Sequence, residues 1–174
     1  YTKLLAPVLA DKGQLYVSIG TPNVAKLVED GNLAGVEVIE AEGEFMRSET
    51  SRRFYIDGLS MDVKDLDMIL TFRNMHNFTP EGRKDLNATA FKALKRGGLY
   101  GVVDHTRRHM QSDNSEVWRR MDPVLAIKEI EAAGFEFVDF SDLHYRPDDT
   151  LEYEVGRKSV TGNTDRFTLL FRKP

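Results

Sequence analysis

The sequence predicts an α/β domain, a mostly parallel sheet flanked by helices with an antiparallel last strand. Short apolar runs of strand length recur along the chain: QLYVSI, GVEVIE, LDMILTF, LYGVVD, FEFVDF and RFTLLFRK. Helical patterns with start and stop signals stand between most of these runs. The last two runs are instead joined by the polar stretch Ser141 to Asp165, which has no clear helical face. A connection of that kind can return as a long hairpin and reverse the final strand.

Each element has its own signal. Leu4, Leu5, Val8 and Leu9 share one face of an opening helix, Tyr1 to Ala10, stopped by Asp11-Lys12-Gly13. Gln14 to Ile19 follows as a strand. Thr21 can cap a second helix with Pro22 at its first position, running through Val24, Leu27 and Val28 to Gly31. Val36 to Glu40 is the next strand. Residues 41–65 are less regular, with RRFYI as an added strand. Leu66 to Thr71 is a buried strand. Thr79-Pro80-Glu81 opens a helix that continues through Ala88 to Leu94, ended by Lys95-Arg96-Gly97-Gly98 before the strand Leu99 to Asp104. Asp122 caps a helix with Pro123 at its first position. That helix carries Val124, Leu125, Ile127, Ile130 and Ala133 and stops at Gly134. Phe135 to Phe140 and Arg166 to Phe171 complete six strands, expected in one sheet of one domain spanning residues 1–174.

Composition narrows the function. Apolar residues are 41% and charged residues 30% of 174, an ordinary globular balance. There is no cysteine, which excludes disulfides, thiol catalysis and cysteine zinc sites, and fits a reducing compartment. No apolar run approaches the roughly 20 residues of a membrane helix. Membrane attachment is therefore not expected. A net charge of -4 argues against coating nucleic acid. Arginine pairs stand at Arg52-Arg53, Arg107-Arg108 and Arg119-Arg120. They read either as solvated surface or as a basic rim that steers an anionic substrate.

In doubly wound sheets ligands bind outside the carboxyl ends of the strands. Thr71-Phe72-Arg73-Asn74-Met75-His76-Asn77 falls at one such end. Asn74 and Asn77 either orient substrate or form loop turns. His76 either takes a proton from a nucleophile or is a satisfied structural residue. Asp104-His105 ends the next strand at the same edge. HTRRH would put His105 and His109 on one helical face, but no glutamate stands where a zinc hydrolase needs it, so no metal is expected.

These residues carry a resemblance. DMILTFRNMHNF, LKRGGLYGVVDH, EAAGFEFVDFSDL and DRFTLLFRKP, in this order, resemble the later motifs of class I S-adenosylmethionine-dependent methyltransferases. More narrowly, LTFRNMHNF, GVVDH and DRFTLLFRKP resemble a family of bacterial predicted methyltransferases of undefined substrate. The resemblance implies a Rossmann-like methyltransferase fold. It also implies that YTKLLAPVLADKG follows a first strand and glycine-rich loop, which would stand upstream of Tyr1 at the sheet centre. Without that strand, closure through a homodimer is one expectation.

The resemblance further implies S-adenosylmethionine as cofactor and a small-molecule acceptor. The cofactor ribose would lie near Ser18, Ile19 and Gly20, where the family often has an acid that this chain lacks. Glu42, on a loop after the third family strand, would face the adenine. Thr71, Phe72 and Arg73 would line the cofactor side, Arg73 meeting its carboxylate or an acidic substrate. His76, Asn74, Asp104 and His105 would serve the chemistry. The rival readings are a methyltransferase-like binding or assembly protein without catalysis, and a nicotinamide-dependent oxidoreductase. The oxidoreductase is weakest, because its glycine fingerprint is absent. A cytoplasmic location is expected, with export behind an upstream signal peptide as the alternative.

Overall fold

A computed structural model gives the fold and describes all residues except 10–12, 32 and 34. The helix stop expected at Asp11-Lys12 lies outside the described residues. The chain forms two compact units, Tyr1–Gly43 with Leu59–Asp62, and Glu44–Gly58 with Val63–Pro174.

In the first unit, α1 (Thr2–Leu9), β1 (Leu15–Val17), α2 (Pro22–Glu29) and β2 (Val36–Val38) follow in turn. β1 and β2 pair in parallel, with Tyr16 opposite Glu37. Both are shorter than their apolar runs suggest. Ala6, Leu33 and Val36 form the core, with Leu15, Val17, Val24, Leu27 and Val28 packed against it. Leu4 and Val8, which share the apolar face of α1 in the sequence reading, are instead exposed. Thr21 does stand before α2 with Pro22 at the helix start, but its side chain makes no capping hydrogen bond.

β3 (Ala41–Arg47) and β4 (Phe54–Met61) form a two-stranded sheet of their own. The FYI part of the expected RRFYI strand opens β4, with Arg52 and Arg53 before it, while part of the irregular stretch further upstream is also a strand.

The second unit holds β5 (Leu66–Phe72), a 3-10 turn (Met75–Asn77), α3 (Pro80–Ala93), β6 (Leu94–His105), α4 (Pro123–Ala132), β7 (Glu136–Ser141) and β8 (Arg166–Arg172). The sheet order is β5-β6-β8-β7. β5 and β6 run parallel, and β8 lies antiparallel between β6 and β7. The reversed last strand is therefore as the long polar connection implies. β6 begins at Leu94, so LKRGG belongs to the strand, with Gly97 in the left-handed region at φ +75°. At Gly101 a Cβ would meet only Leu70 Cδ2, at 2.6 Å, so the exposed Leu70 side chain fills the space that the glycine leaves.

The six expected strands do not share one sheet. They divide into the β1–β2 pair and the β5-β6-β8-β7 quartet, and no described strand bonds to both β1 and β5. The order that the resemblance implies has a further strand between β1 and β5, and among the described residues β1 pairs with β2 alone and β5 with β6 alone.

Apolar packing and two buried ion pairs hold the second unit. Tyr100 stacks at 5.1 Å from Phe135, which meets Phe91 edge-on at 5.1 Å, while Phe137 meets Phe171 at 5.6 Å. α3 and α4 are tied by Arg83, whose Nε and Nη2 donate to Glu129 at 2.6 and 2.7 Å. α4 starts as its sequence signals, Asp122 Oδ1 accepting from Val124 N at 2.9 Å.

Arg120 and Asp149 form a two-pronged pair at 2.9 and 3.0 Å with both side chains fully buried. Asp149 also accepts from the backbone of Leu151 and Asp165. The pair pins the long 142–165 connection to the segment before α4. Removing one partner leaves a buried charge uncompensated, so Asp149→Ala should cost about 3–5 kcal/mol in urea unfolding.

The first turn of α3 supplies a sharper test. Gly→Ala in a helix ordinarily gains up to about 1 kcal/mol. At Gly82 an added Cβ would lie 2.9 Å from Phe54 O and 3.0 Å from Tyr55 Cα, both backbone. Gly82→Ala should therefore destabilise the protein by about 1–3 kcal/mol in urea unfolding, against its helix propensity.

Candidate functional site

β5 and β6 are parallel and in register to their ends, Thr71 opposite Val102 and Phe72 opposite Val103. β8 starts at the same edge, with Arg166 opposite His105. Three neighbouring strands thus bring Arg73, His76, Asp104, His105 and Arg166 to one end of the sheet. Arg73 takes a left-handed conformation at φ +52° while its N–H donates to Val103 O at 2.7 Å, extending the ladder by one bond. That bend turns the chain out of β5 and into the 3-10 turn.

Asp104 is fully buried, and its carboxylate organises the edge. Oδ2 accepts from His76 N at 3.0 Å. Oδ1 lies 2.5 Å from His76 Nδ1 and accepts from His105 N at 2.7 Å. A carboxylate only accepts, so His76 Nδ1 carries a proton, and whenever the ring is neutral its Nε2 keeps the lone pair. The His105 ring lies 5.6 Å from that of His76, and its Nδ1 meets Thr164 Oγ1 at 2.9 Å. Burial pushes His105 down to about 4; Asp104 opposes this, while His76, Arg166 and Arg73 add to it. His105 is therefore neutral near pH 7.

Arg53 braces this edge from β4's side. Its Nε donates to His76 O at 3.1 Å, Nη2 donates to Trp118 O at 2.6 Å, and the guanidinium pairs with Asp113. Arg107 joins Asp113 at 3.3 Å. The arginine pairs are thus not simply solvated surface. Arg53 and Arg107 hold a loop, Arg120 is buried, Arg119 pairs with Glu154, and Arg52 lies over the Trp118 ring at 5.8 Å.

Other expected residues fall variously. Asn74 precedes the 3-10 turn, its backbone O accepting from Asn77 N at 3.0 Å, which is the loop-turn role. Thr71 and Phe72 are half-buried in β5. HTRRH is not helical; His109 Nδ1 turns away to Asp122 at 2.9 Å. Among the described residues no acid and histidine cluster could hold a metal ion.

Ser18, Ile19 and Gly20 belong to the first unit. They follow β1, with Ile19 at φ +58° and Gly20 at φ +74°. A left-handed β-branched residue is a real outlier. Ser18 Oγ is buried and lacks a hydrogen-bond partner among the described residues. Such an orphaned hydroxyl beside a strained turn suits a ligand hydroxyl. Glu42, expected on a loop, is in β3 and accepts from Ser60 Oγ at 2.8 Å.

No family model matches the chain, and no curated protein does. Solved structures do. A TehB-like SAM-dependent methyltransferase from Corynebacterium glutamicum has a TM-score of 0.60 at 10% identity, covering 97% of this chain and 73% of that one. LepI, solved in complex with SAM, has a TM-score of 0.63 at 9% identity, covering 99% of this chain and 40% of LepI. The [4+2]-cyclase SpnF has a TM-score of 0.60 at 15% identity, covering 97% of this chain and 69% of SpnF. The chain has the Rossmann-like fold of the class I SAM-dependent methyltransferases, as its later motifs imply.

The depressed His105 gives a pH signature. Its ordinary value is near 6.5, so between there and about 4 the unfolded chain binds the extra proton. The stability from the neutral buried ring is complete above 6.5 and lost as pH falls toward 4. His144, also lowered by burial and by Arg166, adds a parallel loss. The unfolding midpoint should fall from pH 7 to pH 5, and fall less in His105→Gln; equal slopes would remove His105 from the account.

Proposed function

We propose that this protein catalyses S-adenosylmethionine-dependent methyl transfer to a small-molecule acceptor, with His76 as general base and Asp104 as its positioning partner. The carrying observation is the direct bond between His76 Nδ1 and Asp104 at the shared carboxyl edge of β5 and β6. In α/β sheets that edge is where ligands bind.

The residues present fit the cofactor in part. Ser18 Oγ has a hydroxyl without a partner, and Ile19-Gly20 form a turn that holds backbone open beside it. These would meet the ribose. When bound, S-adenosylmethionine supplies a methyl group activated on a sulfonium sulfur.

The chain's own part is proton handling and alignment. As the acceptor O–H or N–H loses its proton, His76 Nε2 takes it, while Asp104 retains the Nδ1 proton in its hydrogen bond. Arg53, fixed on His76 O, keeps the turn in place. Neutral His105 packs beside His76 without adding a charge that would oppose the protonated ring.

A second reading comes from the neighbours. SpnF is a cyclase, so the same fold also serves chemistry other than methyl transfer. Isothermal titration of the full-length native protein with S-adenosylmethionine separates binding from chemistry. We expect binding, weakened up to tenfold in Ser18→Ala, the loss of about one hydrogen bond. With methyl-labelled cofactor and a panel of phenols, amines and carboxylic acids, His76→Ala should keep cofactor affinity and lose about 10²-fold or more in turnover. Absence of cofactor binding would overturn the proposal. Binding with a ring-closing activity and no label transfer would favour the second reading.

A further inference from the structure

We propose that the acceptor is an oxyanion-bearing small molecule, its carboxylate or phosphate held between Arg73 and Arg166 beside the His76–His105 pair. This names the substrate class for the site proposed above and rests on that reading.

The geometry comes from strand register. Arg166 is the direct cross-strand partner of His105, so the two side chains leave the same face of the sheet about 5 Å apart at Cβ. Arg73 is the first residue past β5, one step beyond the Phe72–Val103 pair and therefore level with Asp104. The arginines flank Asp104 and His105 from the two neighbouring strands, one on each side.

Neither guanidinium has a carboxylate partner among the described residues. Arg53, Arg83, Arg107, Arg119, Arg120, Arg157 and Arg172 do form ion pairs, while Arg47, Arg52, Arg96, Arg108 and Arg146 share with Arg73 and Arg166 the lack of one among the described residues. Arg166 Nε is buried and lacks a hydrogen-bond partner. The nearby acids are already engaged. Asp104 accepts from His76 and His105, and Asp165 Oδ1 accepts from Arg146 N at 2.8 Å. Two forked donors without acceptors, at the ligand edge of an α/β sheet, call for an anion with planar or tetrahedral oxygens. The field is consistent with this, since both arginines help keep His105 unprotonated.

An anionic group at this place has a second effect. It stabilises the positive charge that His76 gains as it accepts a proton. Anion binding and base strength would thus support one another, and a neutral acceptor of the same shape would lose both.

The test uses the full-length native protein and three probes of one shape: phenylacetate, phenyl phosphate and uncharged phenylacetamide. Ligand-observed NMR titration without cofactor measures anion binding by itself. We expect the charged probes to bind at least tenfold more tightly than the amide, with affinity falling as salt rises. A preference between phenylacetate and phenyl phosphate tells which oxyanion is favoured. Arg73→Gln and Arg166→Gln should each weaken the charged probes about tenfold and leave the amide unchanged. Arg73 is exposed, so Arg73→Gln decides the matter even if Arg166→Gln unfolds. Equal affinity for amide and anions, or unchanged anion affinity in Arg73→Gln, would overturn the inference. Titration with S-adenosylmethionine, run separately, reports on the methyl-transfer reading: anion selectivity without cofactor binding sinks that reading alone, and cofactor binding without anion selectivity sinks this one alone.

Discussion

The buried carboxylate of Asp104 is the constraint on which the sheet edge depends. A polar group removed from water costs several kcal/mol unless hydrogen bonds replace the lost hydration. Asp104 finds its donors in His76 N, His76 Nδ1 and His105 N. Meeting that need fixes much else. The turn after β5 must bring both a backbone N–H and a ring to the end of β6, so the chain leaves β5 through a left-handed Arg73 and tightens into the 3-10 turn. The same bonds fix the His76 tautomer. One carboxylate thus couples strand register, loop conformation and ring chemistry.

Around it the second unit is built to hold still. Arg53 gathers the His76 carbonyl, the Trp118 carbonyl and Asp113 into one bracket. Arg120 and Asp149 lock the long connection that delivers β8. β8 in turn sets Arg166 opposite His105. Arginine is therefore used in two ways. Paired arginines fasten loops, and the unpaired Arg73 and Arg166 face the edge where a ligand is expected. The first unit contributes a different feature, a strained Ile19-Gly20 turn and an unpartnered Ser18 hydroxyl.

Much of this was legible in the sequence, for physical reasons. The Asp122-Pro123 start of α4 is a local signal, since cap and first-turn proline act on neighbouring backbone. LDMILTF and LYGVVD read as strands because both are short and apolar, and their ends placed His76, Asp104 and His105 at one edge. β3 was not legible. AEGEFMR is mostly exposed on both faces, so no alternation marks it. That displaced Glu42 from loop to strand. Arg166 was missed because RFTLLFRK reads as an ordinary alternating strand, and its partner across the ladder is set by register, which no single segment encodes. The arginine pairs were visible, but which member would be held by an acid was not: Arg53 and Arg120 meet acids 60 and 29 residues away, and Arg107 meets Asp113 on a loop six residues on. The division into two sheets also lay beyond local pattern, because strand pairing is non-local.

The central claim is that Asp104 holds His76 with its proton on Nδ1 and its Nε2 lone pair free. Side-chain ¹⁵N–¹H correlation NMR of the histidine-labelled protein at pH 7.5 measures this directly. The account predicts that His76 carries a proton on Nδ1, with a chemical shift moved far downfield by the Asp104 bond, and no proton on Nε2. A proton on His76 Nε2, in either the neutral or the doubly protonated ring, would contradict it.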